Sequence, residues 1–298
     1  MLILINKAAI LLVCLTLILP IPTEATTVVI FVSPDGMIVA SDRKTLDLAI
    51  GQKTLSPEIT KKIVIIHDRI AVVSIGLSGD TRNANFTFPA WVENLNDGLP
   101  SDISVDAVVE AIKAKASQNL ALVELKDLQS KKISTLDSCD MLTQFVVLGY
   151  DGSLPRVVVI QFNVDWDSMK IIAPKIEIDE PPSKVSSNFR VYSFGKQEAL
   201  TNVSNRDSYA YKKANAACPK TIGKLLDHQV LTLSESGWLA TALVQIEEDV
   251  DPSSVGSGVQ VVRILPSGRA ESSFQERGLR EATCGDEKEP QKQEGRKP

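Results

Sequence analysis

The chain has 298 residues, 44% of them hydrophobic, and a mean hydropathy of +0.04, which supports a sizeable core and excludes a disordered protein. Its 32 basic and 37 acidic residues leave a net charge of -5, so it lacks the basic footprint with which nucleic-acid binders neutralise phosphates. Four cysteines without a CxxC pair and two histidines, His67 and His228, are too few soft ligands for a zinc site at ordinary spacing, and no metal is expected.

In chain order, residues 1–25 read as a signal peptide. Lys7 is a thin basic region, AAILLVCLTLIL (8–19) the apolar run, Pro20 and Pro22 the breakers, and Thr23-Glu24-Ala25 a small-x-small cleavage site. The run falls short of the about 20 apolar residues a stable span needs; the alternative is an uncleaved anchor. Every later apolar stretch is broken by charge or turn residues, so the mature protein is expected to be exported, periplasmic or extracellular, without stable membrane insertion. Cleavage after Ala25 also removes Cys14, and Cys139, Cys218 and Cys284 then allow at most one intramolecular disulfide.

From Thr26, TTVVIFV, the turn Ser33-Pro34-Asp35-Gly36 and MIVAS predict a β-hairpin. KIVIIHDRIAVVSIG predicts a second, with His67 in its turn. Residues 104–122 carry apolar positions at helical spacing behind Ser101 and Ser104, either of which can cap an amide. QFVVLGYDGSLPRVVVIQFNVD predicts a third hairpin and NFRVYSFG a short strand. LSESGWLATALVQIEEDV sets Trp238, Leu239, Leu243 and Ile246 on one helical face, and SGVQVVRIL closes as a strand. Strand runs alternating with helix runs, without regular βαβ alternation, predict an α+β domain of helices layered on antiparallel sheets. That domain is expected over 26–265. The charged residues 266–298 are expected to form a flexible tail. Asn85 and Asn202 head sequons that matter only in a host secreting through an endoplasmic reticulum.

Cleavage after Ala25 would expose Thr26, which leads directly into a strand, as the first residue. Its hydroxyl is a weak nucleophile needing a base, and its own α-amine, with a reference pKa of about 7.7–8.0, can take the proton near neutrality. Neither histidine lies in a nucleophile-elbow context, and GxSxG is absent.

TTVVIFVSPDGMIVASDRKT resembles the opening of the catalytic β-subunits of the proteasome and their bacterial relatives, N-terminal nucleophile hydrolases whose first residue is threonine. Thr26, Gly36 and Asp42 fall at that family's spacing, and KKIVIIHDRIAVVSIGLSGD supplies Lys62 and Gly76 at the matching separation. GYDGSLP resembles the family's Gly-Tyr/Trp-Asp turn, and DPSSVGSGVQVVRI its Asp-x-x-Ser-Gly element. Two positions depart from the pattern: Lys196 stands where a family serine is expected, and DRK replaces the usual DSR.

The resemblance implies a four-layer α/β/β/α sandwich of two antiparallel sheets flanked by helices. It implies Thr26 as nucleophile, Asp42 and Lys62 as the pair setting its field, Gly76 N–H as the oxyanion donor, and Asp251 and Ser254 as the residues orienting the amine. Thr27 is the fallback nucleophile but breaks the spacing to Asp42. No cofactor or metal is implied; the expected substrate is a peptide or small amide, and a homo-oligomeric ring is the implied assembly. Ile75 and residues 45–50 are the expected specificity-pocket walls, with a bulky Ile75 favouring small side chains. Singly, each residue has a plainer reading: Asp42 a turn cap, Lys62 a solvated strand edge, Gly76 a turn glycine, Asp251-Pro252 a helix stop. The rival functions are a catalytically silent binding or assembly sandwich and an amidase for a small non-peptide amide.

Overall fold

The computed structural model describes residues 26–43, 61–76, 88–122, 125–126, 141–179, 190–195, 197–252, 255–256 and 258–275. The leader, residues 45–50, Asn85, Lys196 and Ser254 lie outside them.

The first hairpin is β1 (Thr27–Ser33) and β2 (Gly36–Asp42), the second β3 (Ile63–Ile66) and β4 (Ile70–Gly76), and the third β5 (Met141–Asp151) and β6 (Leu154–Asp165). Strands β7 (Lys170–Ile171), β8 (Lys175–Asp179), β9 (Arg190–Gly195), β10 (Val259–Ile264) and β11 (Ala270–Gln275) complete two sheets. The first has the order β11-β10-β2-β1-β9 and the second β3-β4-β5-β6-β7, with β8 also on β6. Every pairing is antiparallel.

Helices α1 (Phe88–Gly98) and α2 (Val105–Leu120) follow the second hairpin, and α3 (Glu198–Asn202), α4 (Tyr209–Ala217), α5 (Pro219–Leu226) and α6 (Leu233–Val250) precede β10. Three apolar clusters separate four layers. Trp91, Val108 and Ile112 of α1 and α2 pack on the outer face of the second sheet through Val72, Phe145 and Phe162. Val28, Ile30 and Val262 of the first sheet meet Ile63, Val73 and Val146 of the second. Ala199, Ala214, Ile222, Leu239 and Leu243 of α3–α6 cover the other face of the first sheet at Val29, Phe31 and Ala40. The chain is therefore a mixed α+β sandwich, α/β/β/α, with strands buried on both faces and correspondingly continuous in their hydrophobic runs. No helix of the described residues is long and apolar enough to cross a membrane.

Ser104, rather than Ser101, caps α2, accepting from Ala107 N at 3.2 Å. His67 sits in the β3–β4 turn at φ +49°, its backbone N–H donating to Asn96 Oδ1 at 2.8 Å. Two expectations need correction. The tail does not begin at 266, because Ala270–Gln275 is an edge strand on β10. Its polar sequence follows from its position: Ala270 is buried while Glu271, Ser272 and Ser273 are exposed. Ile75 is no pocket wall, since it is 0% exposed within the inter-sheet core.

A capping box opens α6: Thr232 Oγ1 accepts Glu235 N–H, and Glu235 Oε2 accepts Thr232 N–H at 2.9 Å. Lys224 Nζ donates to both Glu235 oxygens at 2.7 and 2.9 Å. Burial alone would raise the Glu235 carboxyl, but the Lys224 and Thr232 hydrogen bonds and the Lys224 charge outweigh it and hold it below the usual 4.5. A depressed carboxyl contributes stability that is present above its unfolded pKa and lost as pH falls through its folded one. Glu235→Gln should cost about 1–2 kcal/mol near neutrality. Thermal melts across pH should show parent and variant converging in acid.

Candidate active site

Alternation along β1 sends Val28 and Ile30 into the inter-sheet core and Val29 and Phe31 toward the helices. The same period sets Thr26 on the inter-sheet face. In the facing sheet, Lys62 stands immediately before β3. Its Nζ donates to Thr26 Oγ1 at 2.9 Å and to Asp42 Oδ1 at 2.9 Å. Asp42, the last residue of β2, also accepts Thr27 N–H at 2.8 Å. Thr26, Asp42 and Lys62 are 3%, 0% and 2% exposed, so the ion pair is fully desolvated. A buried ammonium hydrogen-bonded to a hydroxyl oxygen is placed to stabilise that oxygen as it becomes an alkoxide, and the carboxylate keeps the charge compensated.

The sequence read Asp42 and Lys62 either as a turn cap and a strand edge or as a catalytic pair. The structure joins them to Thr26 through one shared Nζ. Thr27 is set differently: its buried hydroxyl has no hydrogen-bond partner among the described residues. Gly195 explains how Thr26 fits. At φ +70° it lies so close to β1 that a Cβ there would come within 2.0 Å of the Thr26 carbonyl oxygen.

Gly76 ends β4, on the strand beside β3, with φ +86°. The preceding carbonyl, Ile75 O, accepts from Thr143 Oγ1 at 3.1 Å, which ties the strand end to β5. Asp251 is the half-buried cap residue after α6, its N–H donating to Glu247 O at 2.8 Å and its carbonyl accepting Val255 N–H at 3.0 Å. The loop it opens returns to the site, because Arg43 N–H donates to Gly256 O at 3.0 Å. Gly256 approaches buried Glu248 closely: a Cβ there would lie 3.0 Å from Oε1.

One residue at the site escaped the sequence reading. Gln260 of β10, 2% exposed, accepts on Oε1 from Lys62 N at 3.2 Å and Ile63 N at 3.1 Å, and donates from Nε2 to Ile63 O at 2.7 Å. Its signal was one uncharged amide in a strand whose one other polar residue is Arg263. The GYDG turn, in contrast, has a packing role. Gly149 lets α2 approach, since a Cβ there would meet Val105 Cγ2 at 2.9 Å, and Arg156 ties Asp151 at 2.8 Å to Asp106 of α2 at 3.0 Å. Burial, together with the Asp35 charge, pushes the Tyr150 phenol up to about 12, so it stays protonated.

Cys218, buried between α4 and α5, is disulfide-bonded, and its partner lies outside the described residues. No group of three or more histidine, cysteine, aspartate or glutamate side chains suited to a metal ion occurs among the described residues.

A search of curated proteins finds no match. Residues 23–132 match the family model of the proteasome subunit, a span holding β1 to β4, α1, α2 and all three members of the Thr26, Asp42 and Lys62 cluster. With the sandwich architecture, this similarity supports a hydrolase of the N-terminal nucleophile type.

Proposed function

We propose that this chain is an exported threonine-type peptidase or amidohydrolase, made active when cleavage after Ala25 leaves Thr26 at the amino terminus. The observation that carries the reading is the single Lys62 Nζ, 2.9 Å from both Thr26 Oγ1 and Asp42 Oδ1. In the proposed reaction, Thr26 Oγ attacks the substrate carbonyl while the freed α-amine takes its proton and passes it to the leaving amine. Lys62 stabilises the developing alkoxide, Gly76 N–H binds the oxyanion, and Asp251 and Ser254 orient the amine. Water then resolves the acyl-enzyme. A homo-oligomeric ring belongs to the same reading, as do a peptide or small-amide substrate and an exported location.

Intact mass of the secreted protein, before and after incubation with an epoxyketone or β-lactone, tests this reading. The expected mass begins at Thr26, gains one adduct, and gains none in Thr26→Ala. A retained leader, or an adduct that survives Thr26→Ala, would refute it.

A further inference from the structure

We propose that Gln260 is the positioning residue for Lys62, a cross-brace between the sheets that fixes the lysine's main chain so that Nζ reaches Thr26 and Asp42. The catalytic consequence rests on the reading of Thr26 as nucleophile; the geometric claim does not.

A lysine head rides on a flexible four-carbon stem, so its placement is only as good as that of its backbone. Lys62 lies just before β3, where the ladder with β4 holds its main chain on one side. Its carbonyl accepts from Ser74 N at 3.0 Å, within its own sheet. Its N–H is anchored from the opposite sheet, by Gln260 Oε1.

The brace is specific in three ways. Gln260 sits on β10 opposite Ser41 of β2, with Val259 opposite Asp42, so the strand that holds the amide also flanks the carboxylate paired with Lys62. Two amide N–H groups face Oε1 and one carbonyl faces Nε2, which leaves one orientation for the side-chain amide. The apolar surroundings include Ile63 and Val262, and a buried amide there is costly unless its hydrogen bonds are made. One side chain thus fixes how far the sheet carrying Thr26 and Asp42 stands from the segment carrying Lys62.

The test compares the full-length parent with Gln260→Met and Gln260→Glu. It follows inactivation by the epoxyketone, resolved into kinact and KI, and the ε-methylene NMR resonance of Lys62. Gln260→Met preserves length and apolar packing but removes all three hydrogen bonds. It should fold, keep KI within about twofold, lose about 10- to 100-fold in kinact, and move the Lys62 resonance. Gln260→Glu keeps the acceptor but sets a carboxylate oxygen against Ile63 O. Its labelling rate relative to the parent should recover as pH falls, when a neutral acid again donates there.

A folded Gln260→Met with parental kinact and an unmoved Lys62 resonance overturns the proposal. Should that variant fail to fold, a Gln260→Glu rate ratio that stays constant across pH overturns it instead. If the parent is not labelled at all, the nucleophile reading fails, and the Lys62 resonance in the variants alone decides the role of Gln260.

Discussion

Replacing Lys62 with methionine should abolish labelling of Thr26 and also cost about 3–5 kcal/mol of stability, because it removes the ammonium 2.9 Å from the Asp42 carboxylate in a desolvated site. Methionine has nearly the stem of lysine, so the loss reports charge rather than shape. Adding Asp42→Asn removes the buried negative charge while leaving an oxygen that can accept Thr27 N–H, a bond of 2.8 Å. The double variant should therefore recover most of the stability and none of the labelling. Chemical denaturation and intact mass with the probe separate the two effects. Parental labelling in either variant would remove Lys62 from the mechanism.

Gly195→Ala has the second large expected effect, and it acts on Thr26 without touching its side chain. The new Cβ would stand 2.0 Å from the Thr26 carbonyl oxygen and 2.9 Å from its carbon, and backbone atoms cannot turn aside as a side chain would. The left-handed φ of +70° adds its own strain. Gly152 provides the comparison, with φ +62° and nothing within 4 Å of a Cβ. Gly152→Ala should cost about 1 kcal/mol and leave labelling unchanged. Gly195→Ala should cost about 2 kcal/mol or more and slow labelling by about 100-fold, as β1 moves and Thr26 Oγ1 leaves Lys62. Equal effects of the two substitutions would show that Thr26 tolerates displacement.

The elements legible from sequence were those with local signals. All three hairpins carry turn residues between β-branched runs, and α6 shows helical spacing over 18 residues. Short helices were harder: α3, α4 and α5 have 5, 9 and 8 residues, too few to show a helical period, although Ser208 caps α4 and Pro219 opens α5. Helix α1 had a usable signal that went unread, with Phe88, Trp91, Val92 and Leu95 at helical spacing and Pro89 in its first turn. Strand β11 was taken for tail because an edge strand with one wet face lacks the apolar run of its buried neighbours. Ile75 was misplaced because a strand covered on both faces gives no sequence sign of which way a residue points. At the site, spacing and residue type sufficed for Thr26, Asp42 and Lys62. They could not reveal Gln260, which lies 198 residues from Lys62 and meets it only through the stacking of two sheets.

The first sheet draws strands from both ends of the fold, since β1 and β2 lie between β9 and β10. Contacts that close such long loops form late and slowly in folding. A chain that has made only its first two hairpins owns the hydroxyl, the carboxylate and the ammonium, yet has no β10 to hold one sheet against the other. On the proposed reading, a chain at that stage holds the three groups without the brace between them, so Thr26 should become open to labelling only once the last strands have docked.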